Sequence, residues 1–304
     1  MTFSNYADFY LKVKIDEGLK PSSLARYKGI IDTYILPYFS RYDIPTCNKV
    51  STIRKFLLTL VALSPSGHVS QKTKKTIISV LTGILQEAFY DEAIENNGAK
   101  KIPPTKLIQP DIMPFAAHEV KQLLEQSKGW FRVFLAISFY TGMRTGEVLA
   151  LHVKDIDLKN NLIHVTKSRG AYGESSTKTQ GSVRDIPIFN PLKSFLIPYV
   201  KGLPPERHVI INQYNEPFNQ STSILKRHWY PLLKKCNLTP RVMYQTRHTF
   251  ATNMLESGKF SVLEISRFLG HVNTQMLFKR YTSYIESEKR RNNLDLDIYT
   301  PKYN

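Results

Sequence analysis

The feature that most constrains the fold is a break in periodicity. From Asn96 to Pro114 the chain reads NNGAKKIPPTKLIQPDIMP, with four prolines and neither a helical nor a strand repeat. Proline fixes φ and offers no backbone N–H, so such text neither continues a helix nor enters a sheet interior. It reads as an interdomain linker, 102–114, between a first domain at 1–101 and a second at 115–304. At 304 residues the chain can supply two separate cores.

Before the break every periodic segment is helical. Phe3, Tyr6, Phe9, Tyr10 and Val13 recur at spacings of three and four, and Gly18 closes that helix. Pro21-Ser22-Ser23 opens a second, whose stripe of Leu24, Tyr27, Ile30, Ile31, Tyr34 and Ile35 runs to Pro37. Val50–Leu63 reads as a third helix and residues 70–92 as a fourth, with Ile77, Val80, Leu81, Ile84, Leu85 and Ala88 on one side. The first turns of the fourth carry Lys72, Lys74 and Lys75, either a solvated face or contacts to phosphate groups.

After the break the text is mixed. Helices are predicted at 116–127 and 130–140, broken by Gly142, with Arg144 opening the next helix and Glu147 placed three residues on to brace it. The N-terminal amides there also favour an anion. Strand-type text follows at Val153–Leu158 and Leu162–Lys167 around a Lys159-Asn160-Asn161 turn. A polar loop (SRGAYGESSTKTQGS) precedes a third strand at Val183–Ile188, and Lys178 lies where that loop re-enters the sheet. Helices resume near 190–200 and 221–236. The predicted fold is mainly α with a small antiparallel β-sheet, in two domains.

Charge narrows the function. The formal charge is +17 and the pI about 9.7. Residues 1–101 hold 14 Lys and Arg against 9 Asp and Glu, leaving 28 against 16 for the rest, so both parts are basic. A polyanion partner along the whole length fits that distribution. The two cysteines, Cys47 and Cys236, form no CxxC pair, which argues against a disulfide framework or a cysteine-based zinc site and for a reducing compartment. The eight histidines show no HExxH pairing, and there is no GxxxxGK[ST] loop. No metal and no nucleotide cofactor is expected. The first residues do not read as a signal peptide, and no apolar run approaches the ~20 residues of a membrane span.

The chemistry concentrates between Tyr244 and Tyr281. A short polar box, Tyr244-Gln245-Thr246-Arg247-His248, is followed by Leu269-Gly270-His271 and then by Tyr281, ten residues past that histidine. Arg pairs planar donors with phosphate oxygens, His donates or carries a proton, and Tyr offers an oxygen nucleophile. Taken singly each residue is more often structural. Together they suit a phosphodiester, whose transition state gathers charge on oxygens that guanidiniums neutralise. A covalent phosphotyrosyl bond would conserve the energy of the broken strand, in keeping with the missing nucleotide loop.

The ordered boxes TGMRTGE, TKTQGSVRDIPI, YQTRHTFAT, LGH and RYT closely resemble the tyrosine recombinases, or phage integrases. Residues 3–101 are similar to the family's helical core-binding domain, notably LKPSSLARYKGIIDTYILPYF, and 115–290 to its catalytic domain. The resemblance implies that Arg144 and Arg247 grip the scissile phosphate, that Lys178 is the β-hairpin general acid for the departing 5′ oxygen, and that His271 holds the second His/Trp position. It makes Tyr281 the nucleophile and Glu147 the acidic support of the first arginine. One box departs from the pattern: Tyr244 stands where the family usually has His, and His248 does not replace it, because an RH pair is itself usual there. Its phenol can hydrogen-bond the phosphate but, with a reference pKa of ~10, is a poor base near neutral pH.

The resemblance also implies a site-specific recombinase acting through a 3′-phosphotyrosyl intermediate in the integration or excision of a mobile element. Its partners would be double-stranded DNA core sites, three further copies in a homotetramer, and an accessory directionality factor, in the cytoplasm of a bacterial host and without a membrane. Many members carry a further arm-binding domain before the core-binding one; here Met1 leads almost directly into the first helix, so that domain is expected to be absent or to have been removed. The polar tail 282–304 carries Tyr284, Ile285, Leu294, Leu296, Ile298 and Tyr299, a density of apolar residues that suits docking on a neighbouring protomer. Two other readings stay open at this point, a type IB-like topoisomerase and a non-catalytic DNA-binding regulator derived from a recombinase. Relaxation of a plasmid lacking a recombination site would mark the first. Loss of Arg144, Lys178, Arg247 or Tyr281 would mark the second, and all four are present.

Overall fold

The computed structural model describes residues 1–104, 112–176, 183–219, 221–271, 274, 275 and 281. Lys178 and the tail 282–304 lie outside the described residues. The chain divides into two compact units, Met1–Pro110 and Asp111–Asn304.

The described part of the first unit is helical: α1 (Phe3–Asp16), α2 (Pro21–Ile30), α3 (Leu36–Phe39), α4 (Ile44–Asn48), α5 (Val50–Leu63) and α6 (Gln71–Tyr90). The predicted apolar stripes turn inward apart from Phe9, which the structure leaves 45% exposed, and Phe3, Phe39, Phe56, Ile77 and Ile84 are essentially inaccessible to water. Burying one such side chain contributes about 1.5–3 kcal/mol. The Phe39 and Phe56 rings meet edge to face at 4.8 Å.

Two local features differ from the sequence reading. The second helix does not stop at Pro37. A π-helical turn at Ile31–Ile35, closed by the Leu36 N–H on the Ile31 carbonyl, widens the backbone just before the proline. The missing N–H and bulky ring are thereby absorbed and the helical path continues to Phe39. The additional helix α4 is set by Asp43, whose carboxylate accepts the Thr46 N–H at 3.0 Å, with Pro45 in the first turn.

The second unit contains α7 (Ala117–Gln126), α8 (Gly129–Thr141), α9 (Thr145–Ala150), β1 (Ile156–Asp157), β2 (Leu162–Val165), β3 (Lys167–Gly170), β4 (Gly173–Ser176), β5 (Arg184–Pro187), α10 (Asn190–Val200), α11 (Ser221–Ile224), α12 (Tyr230–Lys235), α13 (Gln245–Glu256) and α14 (Val262–Leu269). α8 is apolar on nearly every side, with Val133, Phe134, Leu135, Ala136, Ile137 and Phe139 buried, as suits a central helix. A second π-helical turn, Leu225–Trp229, precedes Pro231 in α12 and repeats the device seen before Pro37.

The sheet is antiparallel in the order β1-β2-β5, with Ile163 opposite Ile186 and Val165 opposite Arg184. The first predicted strand is mostly a 3-10 turn, Val153–Asp155, because the Asp155 carboxylate captures the His152 N–H at 2.8 Å. The predicted polar loop is in part a hairpin, β3 paired with β4 with Arg169 opposite Glu174. Its residues are polar on both faces, so no apolar alternation announced it. Taken together the described fold is mostly helical with small antiparallel sheets, as expected.

Candidate active site

Two helix ends create the centre of the site. Gly142 ends α8 at φ +63°, and Gly270 ends α14 at φ +64°. A side chain at either position would be strained, and at Gly142 its Cβ would come within 2.5 Å of the Phe250 ring. Arg247, on α13, joins the two ends: Nη1 donates to the Gly142 carbonyl at 2.8 Å and Nη2 to the Leu269 carbonyl at 2.6 Å. C-terminal carbonyls carry partial negative charge and compensate a guanidinium that is 2% exposed. Burial pulls the Arg247 pKa down to about 10, with Tyr244 acting the other way, so the group remains charged at neutral pH.

Arg144 precedes the first turn of α9. Glu147 Oε2 accepts its backbone N–H at 2.9 Å, and Oε1 accepts Nη1 at 2.7 Å. The predicted brace is present, and it has a second arm that sequence reasoning missed. Arg184, at the start of β5, donates through Nη2 to Glu147 Oε2 at 2.8 Å and through Nε to the Phe268 carbonyl at 2.6 Å. The available signal was period two, since Arg184 shares a strand face with buried Ile186 and a charge on an inward face needs a partner. Burial pushes the Glu147 carboxyl up, but Arg184 and then Arg144 more than reverse this and hold it below the ordinary carboxylate range.

His271 follows Gly270, and its backbone N–H is fixed on the Ser266 carbonyl at 3.0 Å. Burial first, then Arg247, Arg144 and Arg184, lower its pKa to about 4, so the imidazole is neutral at pH 7. Its Nδ1 is buried without a hydrogen-bond partner among the described residues. Tyr281 is also buried, against Phe250, Leu255 and Leu269 of the α13–α14 pair. Its hydroxyl meets His248 Nδ1 at 2.5 Å. Tyr244, 43% exposed, stands edge to face on the same imidazole at 5.0 Å.

The fold therefore gathers Arg144, Glu147, Arg247 and His271 into one cluster, adds Arg184, and sets Tyr244 and Tyr281 on His248. Among the described residues this cluster holds three guanidiniums against one carboxylate. Lys72, Lys74 and Lys75 belong to the first unit, at the start of α6. Lys72 and Lys75 are exposed, and half-buried Lys74 borders a 360 Å³ hollow with Arg54 and Gln71.

The sequence matches the phage integrase family over residues 114–288 and that family's N-terminal SAM-like domain over residues 2–57. Among curated relatives, the ICEBs1 integrase of Bacillus subtilis is 26% identical over 89% of this chain and 76% of its own length. The tyrosine recombinase XerD of Staphylococcus epidermidis is 24% identical over 92% of this chain and 93% of its own. The Tn1549 transposon integrase, solved in complex with a circular intermediate DNA, superposes with a TM-score of 0.77 at 19% identity, covering 96% of this chain and 99% of that one. A lambda integrase tetramer bound to a Holliday junction gives 0.72 at 19%, over 90% and 78%. At such identities the structural likeness establishes the fold. The family match covers more than half of the sequence, and the chain belongs to the phage integrase family. It is a site-specific tyrosine recombinase.

Proposed function

We propose that this recombinase cuts and rejoins duplex DNA of a mobile element through the cluster around Arg247, with Tyr281 as the nucleophile. The observation that supports the reading most directly is the excess of cations, Arg184 and Arg247 buried and Arg144 half-buried. Among the described residues three guanidiniums stand around Glu147, and positive charge held on buried Arg184 and Arg247 is costly until an anion enters. A phosphodiester supplies that anion, and Arg144 and Arg247 offer it forked donors. His271, with its neutral imidazole, supplies a further hydrogen-bonding group.

In the proposed step the Tyr281 oxygen forms a bond to phosphorus while the bond to the 5′ oxygen breaks. The Tyr281 proton passes to His248 Nδ1, a group that already meets the hydroxyl, and Lys178 gives a proton to the leaving oxygen. Tyr244 orients the His248 ring, which accounts for a phenol where a base is usual. Tyr281→Phe should keep duplex binding and abolish the covalent adduct on a nicked suicide substrate. A shifted protein–DNA band with the Phe variant would exclude Tyr281 as nucleophile. His248→Gln should slow adduct formation by about 10²-fold or more, the usual worth of a positioned base. An unchanged rate and pH profile would remove His248 from the step.

We further propose a homotetramer on paired core sites, answering to a directionality factor, with the tail 282–304 docked on a neighbouring protomer. Ending the chain after Glu288 should preserve single-site binding and reduce synaptic complexes on native gels. Two-site recombination at the full-length rate would refute the docking.

A further inference from the structure

A second cluster of titratable side chains in the unit Asp111–Asn304 shares no residue with the site above. His152, Glu174 and His208 each offer one ligand atom, and the three atoms lie within 4.8 Å of one another. His208 Nε2 is 2.6 Å from Glu174 Oε1, and the two imidazole centroids are 4.1 Å apart. Backbone pairing holds the group together. His152 and His208 form an antiparallel bridge, flanked by the Val153 N–H on the Arg207 carbonyl at 2.9 Å and the Val209 N–H on the Leu151 carbonyl at 2.8 Å. Glu174 is fixed by the β3–β4 ladder opposite Arg169.

His152 is only 7% exposed, and its Nδ1 makes no hydrogen bond among the described residues. The Asp155 carboxylate stands 3.7 Å from that nitrogen. A buried ring nitrogen without a hydrogen bond is a cost that a metal ion would relieve. The arrangement has the parts of a metal site: two imidazoles and one carboxylate.

We propose that His152, Glu174 and His208 bind a divalent transition-metal ion of the zinc type, with the fourth position open. Tetrahedral ligands about 2.1 Å from a metal stand about 3.4 Å apart, and the three ligand atoms here lie within 4.8 Å of one another. Nitrogen donors disfavour magnesium and calcium, which prefer oxygen cages. Two cations oppose the ion. Arg169 Nη1 lies 3.2 Å from Glu174 Oε1, and Lys167 Nζ lies 3.8 Å from Oε2. Arg169 is held independently by the Phe218 carbonyl at 3.2 Å and Asn219 Oδ1 at 2.8 Å, so it can release the carboxylate without losing its place. The repulsion makes the site weaker than a closed structural zinc centre. Its effect is to tie β4, whose sequence leads on to Lys178, to the His152–His208 bridge. The binding claim does not depend on the recombination reading.

The test uses the full chain, stripped with a chelator and dialysed, then titrated with Zn²⁺ by calorimetry and with Co²⁺ by visible absorption. One ion per chain, a tetrahedral-type cobalt band displaced by zinc, and a Tm rise of about 5 °C at hundredfold excess over Kd are expected. Glu174→Gln and His208→Gln should each weaken binding at least about tenfold, whereas His164→Gln, at an exposed histidine paired with Asp185, should not. Zinc should also shield His208 of the wild-type chain from diethylpyrocarbonate, a measurement that needs no folded variant. Absence of stoichiometric binding, or unshielded His208 at saturating zinc, overturns the proposal.

Discussion

The two units treat polar groups in opposite ways. Among the described residues, the buried polar side chains of the first unit are Ser64 and Asn97, and its charges lie at or near the surface. The second unit buries Glu147, His152, Arg247 and His248, besides a row of hydroxyls and Gln245. Water screens a surface charge, which can therefore do little more than attract a partner at long range. A buried charge is held in fixed geometry at low dielectric, where it can act on a single bond. Both units carry surface charge that can attract a partner, but the mixed unit alone, among the described residues, also holds charge buried in fixed geometry, and that contrast can be broken experimentally.

The largest effect is expected from a residue of the second unit acting on rate alone. Lys178→Ala should slow cleavage by about 10²–10⁴-fold, the usual worth of a general acid, with duplex affinity nearly unchanged. A 5′-bridging phosphorothioate should restore the rate, because sulfur leaves without a proton. Failure of that rescue would take Lys178 out of the acid role. Next, Glu147→Gln should lower stability by about 3–5 kcal/mol in denaturant unfolding, since it leaves Arg184 and Arg144 buried or half-buried beside a neutral amide. The sign with pH follows. A carboxyl whose pKa is depressed by folding contributes stability above its unfolded value and loses it as pH falls through the folded one. Wild-type stability should therefore fall in that acid window more steeply than that of the Gln variant. Parallel profiles would mean that Glu147 is not the carboxylate on which the cluster depends.

The smallest effect is expected in the first unit. Replacing Lys72, Lys74 and Lys75 together by Ala should flatten the dependence of log K on log salt by up to about 0.9 for each phosphate no longer neutralised, leaving the cleavage rate at saturating DNA unchanged. A rate loss at saturation would erase the distinction between the units. An unchanged salt slope would return these lysines to the solvated helix face that the sequence also allowed.

Much of this was legible in the chain. The proline-rich break at Asn96–Pro114, the helical stripes before it and the ordered boxes after it are local text, because periodicity and motif spacing are written within a few turns of backbone. The same holds for Gly142 and for Arg144 with Glu147, three residues apart on one helical turn. The proline at 37 misled at short range, since a π-helical turn is a response of the backbone to packing on both sides and has no composition of its own.

What only the tertiary structure decided is which distant groups meet. Arg184 reaches Glu147 across 37 positions, His248 meets Tyr281 across 33, and His208 meets Glu174 across 34. No periodicity links such pairs. Sequence by itself determined the repertoire, a basic chain with arginines, histidines and tyrosines in a fixed order. Their pairing was set when apolar helices and a small sheet closed around them, because a charge carried inward by its neighbours must find whatever partner the opposite element presents.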